Sequence, residues 1–241
     1  MRCSAPARNA GIALADSDFV AFLDDDEWCE AGWLASLLRT AADSGADVVF
    51  GAVLPEFPGG PPEWDPNGRT YERRMQLPEG AIIGIDHDER ISGRWIGTGN
   101  SLLRRSTCQL EHNTFALELG KCGGEDYDLF VRLHGQGLRF AWSPSAVAHE
   151  IVPADRTSAA YMRQRSFRAG QQWGAITVGR SRAPWLTAVW IALKATIQLV
   201  LVALLWLGRR LLTPGRADRT STKLAEIRGK LVWWRLNRSG R

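Results

Sequence analysis

Apolar positions along this chain fall either at helical spacing or in short continuous runs, and the switches between the two patterns mark its elements. Ala7–Ala15 predicts a helix, Asp16-Ser17-Asp18 a turn, and Phe19-Val20-Ala21-Phe22-Leu23 a strand that is apolar at every position. Such a run is expected of a strand buried on both faces of an α/β sheet. It ends in four acids, Asp24-Asp25-Asp26-Glu27. Over Glu30–Asp43 the residues Trp33, Leu34, Leu37, Leu38 and Ala41 recur at helical spacing, and Gly45 is placed to close that helix. Ala46–Leu54 reads as the next strand. Pro55, Pro58, Pro61, Pro62 and Pro66, with Gly59, Gly60 and Gly68, then make 55–70 a long loop.

Farther on, Arg94–Arg104 predicts a strand interrupted by Gly97 and Gly99, Glu125–Gln136 a helix, Leu138–Ile151 strands around Pro144, and Ser158–Trp173 a basic helix. Alternating strands and helices predict an α/β fold with functional groups at strand ends. From Trp185 to Leu207 the chain is almost continuously apolar, and as a helix this stretch is ~34 Å long, enough to cross a bilayer core. Lys194 near its middle carries an insertion cost of ~2.5–3.5 kcal/mol, which keeps a buried or in-plane helix open as the alternative. Arg180 and Arg182 precede the stretch and Arg209, Arg210, Arg216 and Arg219 follow it, so both ends favour the cytoplasmic side. Leu224, Ile227, Leu231, Val232 and Trp234 among Lys223, Arg228, Lys230 and Arg235 read as a basic amphipathic helix on anionic lipid. The expected division is a catalytic domain over residues 1–180 and a hydrophobic, basic membrane-associated tail over 181–241.

Charge sharpens this division. Residues 1–208 carry 20 Lys/Arg against 24 Asp/Glu, whereas residues 209–241 carry 10 against 2. An acidic body with a basic tail argues against nucleic acid as a partner and for a membrane surface. Cys3, Cys29, Cys108 and Cys122 lie at irregular spacing without a C-x-x-C pair, which supports neither a zinc site nor a disulfide framework. Met1–Pro6 holds no apolar signal-peptide core.

Two acidic groups carry the candidate chemistry. Asp24, Asp25, Asp26 and Glu27 follow a buried-type strand, and crowded carboxylates of this kind suit Mg²⁺ or Mn²⁺ bound through oxygen. A solvated acidic turn is the plainer alternative. Gly123-Gly124 leads into Glu125, Asp126 and Asp128, where capping and the helix dipole would explain the acids unaided. Paired with a distant metal-type cluster, they instead suit a general base in a group-transfer enzyme. Gly97-Thr98-Gly99-Asn100 permits close approach of a ligand or marks a β-bulge. His149 and the arginines 163–168 each have structural readings as well.

Taken in order, Ala7-Arg8-Asn9-Ala10-Gly11, Phe22-Leu23-Asp24-Asp25-Asp26, Gly97-Thr98-Gly99-Asn100, Gly124-Glu125-Asp126 and Arg163–Gly170 resemble the family 2 glycosyltransferases of GT-A fold. The likeness is strongest to bacterial enzymes of exopolysaccharide and cell-surface glycan assembly. It implies a nucleotide-sugar donor, a UDP-sugar in the first place, a glycan or lipid-linked acceptor, and inverting transfer at the cytoplasmic face of the membrane. Asp24 and Asp26 would hold Mn²⁺ or Mg²⁺, with His149 completing the metal or diphosphate site. Asp126, or else Glu125, would be the catalytic base. Arg8, Asn9 and Asp25 would lie by the nucleotide, Gly99 and Asn100 by the sugar or acceptor, and Arg165 and Arg168 by the leaving diphosphate. The family opens with a strand–helix–strand that the residues before Ala7 do not contain, so the expected fold is an N-terminally incomplete GT-A domain. The competing functions are an inactive homologue acting as a membrane-associated binding partner and a metal-dependent phosphohydrolase.

Overall fold

The structure is a computed structural model that describes residues 4–84, 96–111, 114–117, 119, 123–212 and 218–238. Cys3, Cys122, Arg216 and the expected strand start at Arg94 lie outside the described residues. The chain forms two units. The first comprises Met1–Gly60, Asn67–Lys121 and Glu125–Val152, and the second Pro61–Pro66, Cys122–Gly124 and Pro153–Arg241.

In the first unit the elements are α1 (Ala5–Leu14), β1 (Phe19–Phe22), β2 (Glu27–Cys29), α2 (Trp33–Ser44), β3 (Val48–Glu56), β4 (Ala81–Ile83), β5 (Ser101–Arg104), α3 (Glu125–Gly135) and β6 (Phe140–Ile151). The strand order is β1-β5-β3-β6-β2, with β4 pairing with β6 off this path. β3 and β6 run parallel and the other pairs are antiparallel, so the sheet is mixed, in an α/β fold as the apolar pattern predicts. Period-two alternation splits the apolar strands between two cores. Val48, Phe50, Phe140 and Trp142 join Ile12 and the α3 residues Leu129, Phe130 and Leu133, whereas Val49, Leu102 and Ala141 join Leu37 and Ala41 of α2. Both faces are covered, which is why these strands read as unbroken apolar runs. Gly45 ends α2 in the left-handed region at φ 62°, where a side chain would be strained.

Two expectations change. β1 is an edge strand paired with β5 alone among the described residues, and Ala21 and Leu23 are exposed, so the run at 19–23 is not buried on both faces. The expected strand from Arg94 narrows to Ser101–Arg104, because Thr98, Gly99 and Asn100 turn, with Asn100 at φ 57°.

β6 passes Pro144 without ending. Gly51 pairs with Ser143 and Ala52 with Val147, so Pro144, Ser145 and Ala146 loop out of the register, where a proline costs no ladder hydrogen bond. Asn100 closes this irregularity. Its amide nitrogen donates to the Ala52 carbonyl at 2.6 Å and to the Ala146 carbonyl at 2.8 Å, and its Oδ1 accepts from Trp33 Nε1 at 2.7 Å.

The second unit is helical: α4 (Ala159–Gly179), capped by Ser158, α5 (Pro184–Leu212) and α6 (Asp218–Leu231). α4 and α6 approach through glycine, since a methyl at Gly170 would lie 2.0 Å from the Glu226 carbonyl oxygen and one at Gly229 would lie 2.0 Å from that of Phe167. Ile227 of α6 is fully buried, so at this point the amphipathic face predicted to meet lipid packs against protein. α5 buries Ile191 and Ala195 and exposes Trp185, Val189, Leu193, Ile197, Leu201 and Leu204. Pro184–Gly208 is long and apolar enough to cross a membrane.

A methyl group at Gly51 would fall 2.2 Å from the Ala146 carbonyl oxygen and 2.4 Å from Asn100 Oδ1. Gly51→Ala is therefore expected to destabilise the first unit by about 2–3 kcal/mol, as overpacking does. Urea unfolding followed by near-ultraviolet circular dichroism checks this. An unchanged midpoint would mean that the bulge is not closed as described.

Candidate functional site

The site begins with α1. Its Ala5, Asn9 and Ile12 face the core at helical spacing, and this phase sets Arg8 beside the carboxyl end of β1. The Arg8 guanidinium, 14% exposed, bonds Asp24 Oδ1 at 2.8 Å and Asp126 Oδ1 at 2.6 Å, and lies 3.5 Å from Glu125 Oε1. Phe115 supports it from a ring centroid 5.5 Å away. Burial works against the charge on Arg8, but Asp126, Asp24 and Glu125 outweigh it and raise its pKa. The structure thus brings together the two acidic groups that lie a hundred residues apart in sequence.

Asp126 is held on both carboxylate oxygens. Oδ1 receives Arg8, while Oδ2 accepts from the Thr98 hydroxyl at 2.8 Å and from the Thr98 amide at 3.3 Å. Desolvation pushes its pKa above the usual carboxylate value, against the pull of Arg8. Glu125, the second candidate base, accepts instead from Ser4 Oγ at 2.6 Å and is buried. Asp128 pairs with Arg132 one turn on, at 3.1 Å. Each acid of this first turn therefore has a partner beyond the helix dipole.

A second layer lies beneath Asp24. The Glu27 side chain is 1% exposed, pairs with Arg73 at 2.5 Å, and accepts from the Asp24 amide at 3.2 Å. Burial is the main cause that lifts its pKa to about 7. Gly99 is the backbone on which both acids rest: a methyl there would sit 2.7 Å from Asp24 Oδ2 and 2.7 Å from Glu27 Oε1. Arg73 is fixed in turn by its main chain, which exchanges two 2.9 Å hydrogen bonds with Val53.

The other expected residues have different surroundings. Asn9 faces inward, donating to the Phe115 carbonyl and accepting its amide, each at 2.9 Å. Asn100 closes the bulge in β6. Gly99 supports Asp24 and Glu27. Asp25 is exposed and Asp26 half-buried on the same turn, and the Asp26 carbonyl accepts from the Ile151 amide at 2.8 Å. His149 is stacked on Trp28, with ring centroids 4.2 Å apart, and its Nε2 lies 2.8 Å from Glu30 Oε1. Arg165 and Arg168 are exposed on α4 in the second unit. Among the described residues no three Asp, Glu, His or Cys side chains converge as a closed metal site. Asp24 and Asp26 carry carboxylate oxygens of the hard type that Mg²⁺ or Mn²⁺ would take. Ser4, Glu27, Thr98 and Arg73 are the members without a role in the residue-by-residue reading. Ser4 lies one turn before Arg8 and Glu27 ends the acidic run, but nothing in the sequence around Arg73 marks it.

Residues 4–105 match the family model described as Glycosyl transferase family 2. The chain is 38% identical over 186 residues to the succinoglycan biosynthesis protein ExoM of Rhizobium meliloti, covering 76% of this chain and 57% of ExoM. It is 29% identical over 147 residues to the pre-mycofactocin glycosyltransferase of Mycobacterium tuberculosis, covering 61% of this chain and 30% of that one. A solved structure, Staphylococcus aureus TarS residues 1–349 in complex with UDP, superposes with a TM-score of 0.45 at 13% identity, covering 99% of this chain and 72% of that 1–349 chain.

The buried Glu27 generates a pH effect. Its folded pKa of about 7 lies above the ordinary 4.5, so the stability it contributes is complete below about 4.5 and is lost as pH rises through about 7. Glu27→Gln removes the titration. Relative to wild type the variant is expected to gain stability between pH 5 and 8, by up to roughly 3 kcal/mol. Urea midpoints across that range, in metal-free buffer, check this; parallel curves would mean that Glu27 titrates normally.

Proposed function

Since residues 4–105 are a glycosyl transferase family 2 domain, we propose that this chain moves a sugar from a nucleotide-sugar to a hydroxyl acceptor, with inversion, in the assembly of a surface polysaccharide or glycolipid. The observation that carries the reading is the Arg8 bridge, which sets a strand-end carboxylate of the metal-binding type beside a second, differently held carboxylate. ExoM, by its name a succinoglycan biosynthesis protein, supports the product class.

In this reading Asp126 is the base. Thr98 and Arg8 fix its carboxylate, and its raised pKa makes it a better proton acceptor than an ordinary aspartate. The acceptor hydroxyl gives its proton to Asp126 as its oxygen bonds to the anomeric carbon. The bond from that carbon to the diphosphate breaks on the opposite side, and the nucleoside diphosphate leaves with the electron pair. Asp24 and Asp26 would hold Mg²⁺ or Mn²⁺, which supplies positive charge for the diphosphate of a UDP-sugar. Asp25, exposed on the same turn, is available to the donor. α5 is proposed as the membrane-associated element, because its long apolar surface is exposed in its own unit. The cytoplasmic face, where nucleotide-sugars are made, is the proposed side.

Asp126→Asn is expected to lower transfer by 100-fold or more, on the order of the contribution of a positioned base, while leaving UDP binding unchanged. Thr98→Val deletes a hydrogen bond that lowers the Asp126 pKa, so the acid limb of its rate profile is expected at higher pH than in wild type. Turnover of radiolabelled UDP-sugars against membrane lipid extracts measures both. Full activity in Asp126→Asn would sink the assignment. Separately, Asp24→Asn and Asp26→Asn are each expected to weaken Mn²⁺ binding about tenfold, read by water proton relaxation without any turnover. Equal Mn²⁺ enhancement in all three proteins would remove the metal from the reading.

A further inference from the structure

Trp28 takes no part in the site described so far. It follows the acidic turn directly, on the edge strand β2, and 45% of its surface is exposed. It belongs to neither core. An indole exposed to that extent leaves apolar area in water, at roughly 25 cal/mol for each Å².

Trp28 is also held in place. It sits directly opposite His149 in the β2–β6 register, and the two rings stack 4.2 Å apart at an interplanar angle of 8°. Its Nε1–H donates to Glu56 Oε2 at 2.8 Å, and His149 is in turn fixed by Glu30 at 2.8 Å. Both rings are thus oriented before any ligand arrives, which reduces the ordering cost of binding. Glu56 lies at the edge of the indole and Glu30 at the edge of the stacked imidazole, both exposed and both hydrogen-bond acceptors.

We propose that Trp28 is a stacking platform for a neutral hexopyranose ring of the acceptor glycan, with Glu30 and Glu56 receiving its hydroxyl groups. The inference rests on the transferase reading for the word acceptor, but not for the binding itself. A pyranose with equatorial hydroxyls presents an apolar face of axial C–H bonds inside a rim of hydroxyl donors, the complement of an indole stacked on an imidazole with a carboxylate at the edge of each ring. A nucleotide base would also stack. Its phosphates, however, would meet Glu30, Glu56 and the neighbouring Glu150, a like-charge arrangement that disfavours it.

The test uses the full chain in detergent micelles with two probes in one tube, cellotetraose and UDP with Mg²⁺, observed by saturation-transfer NMR. Wild type is expected to transfer saturation to the pyranose protons. Trp28→Ala is expected to reduce that signal about fivefold or more with the UDP signal unchanged, and Trp28→Phe to retain most of it. Equal cellotetraose signals in wild type and Trp28→Ala would overturn the proposal, as would no transfer to cellotetraose in wild type. A sugar signal that depends on Trp28 in a protein that does not bind UDP would sustain the platform while refuting the donor site. Parallel loss of both signals in Trp28→Phe would overturn it by making Trp28 merely structural.

Discussion

Arg8 lies between carboxylates drawn from two parts of the chain, bonding Asp24 at 2.8 Å and Asp126 at 2.6 Å, and supplies positive charge where these acids gather. The pair of contacts joins the end of β1 to the start of α3, elements that share no sheet ladder. Removing one partner of such a buried set leaves uncompensated charge, so the guanidinium sets the geometry of everything around it. Its planar fork suits this task better than a lysine, since it meets two carboxylates from different directions at once. A divalent cation at the acidic turn would have to share Asp24 with Arg8, whose Nη2 already holds Oδ1.

The Gly97-Thr98-Gly99-Asn100 segment is the mechanical joint of the first unit. Thr98 holds Asp126, Gly99 lets Asp24 and Glu27 lie against bare main chain, and Asn100 satisfies two carbonyls at the looped-out stretch of β6. The four residues therefore tie the acidic turn, α3 and the β3–β6 pair to one short stretch of backbone. A side chain at Gly99 would separate the acids from their support. This accounts for a glycine at that position without any ligand touching it.

Much of this was legible in the residues. Apolar runs and the acidic clusters located β3, β6, the turn after β1 and the start of α3, because burial on both faces of a sheet and carboxylates at strand and helix ends leave local signals. What was not legible depends on distance. Asn9 and Asn100 look like ligand contacts in sequence, yet the structure uses both as clamps on main-chain groups far along the chain. Arg73 lies beyond a proline-rich loop and reaches Glu27 only because Val53 fixes its backbone. The strand predicted at 19–23 forms as β1, yet it is not buried on both faces, since an apolar run specifies that a strand can be buried and not which neighbours will bury it.

The two acids nearest Asp24 sit in different surroundings. Glu27 and Asp126 are both raised by desolvation, but Glu27 rests in a nearly closed pocket with a pKa of about 7, while Asp126 keeps 28% of its side chain exposed and faces a threonine hydroxyl. Burial favours the protonated form of Glu27, which takes one negative charge out of a turn with three other acids, while Arg73 beside it favours the charged form. At Asp126, by contrast, Arg8 favours the ionised form and part of the side chain stays exposed. Unequal environments of this kind are how a cluster of like groups can come to perform different tasks, and in the proposed reading the more exposed Asp126 is the base.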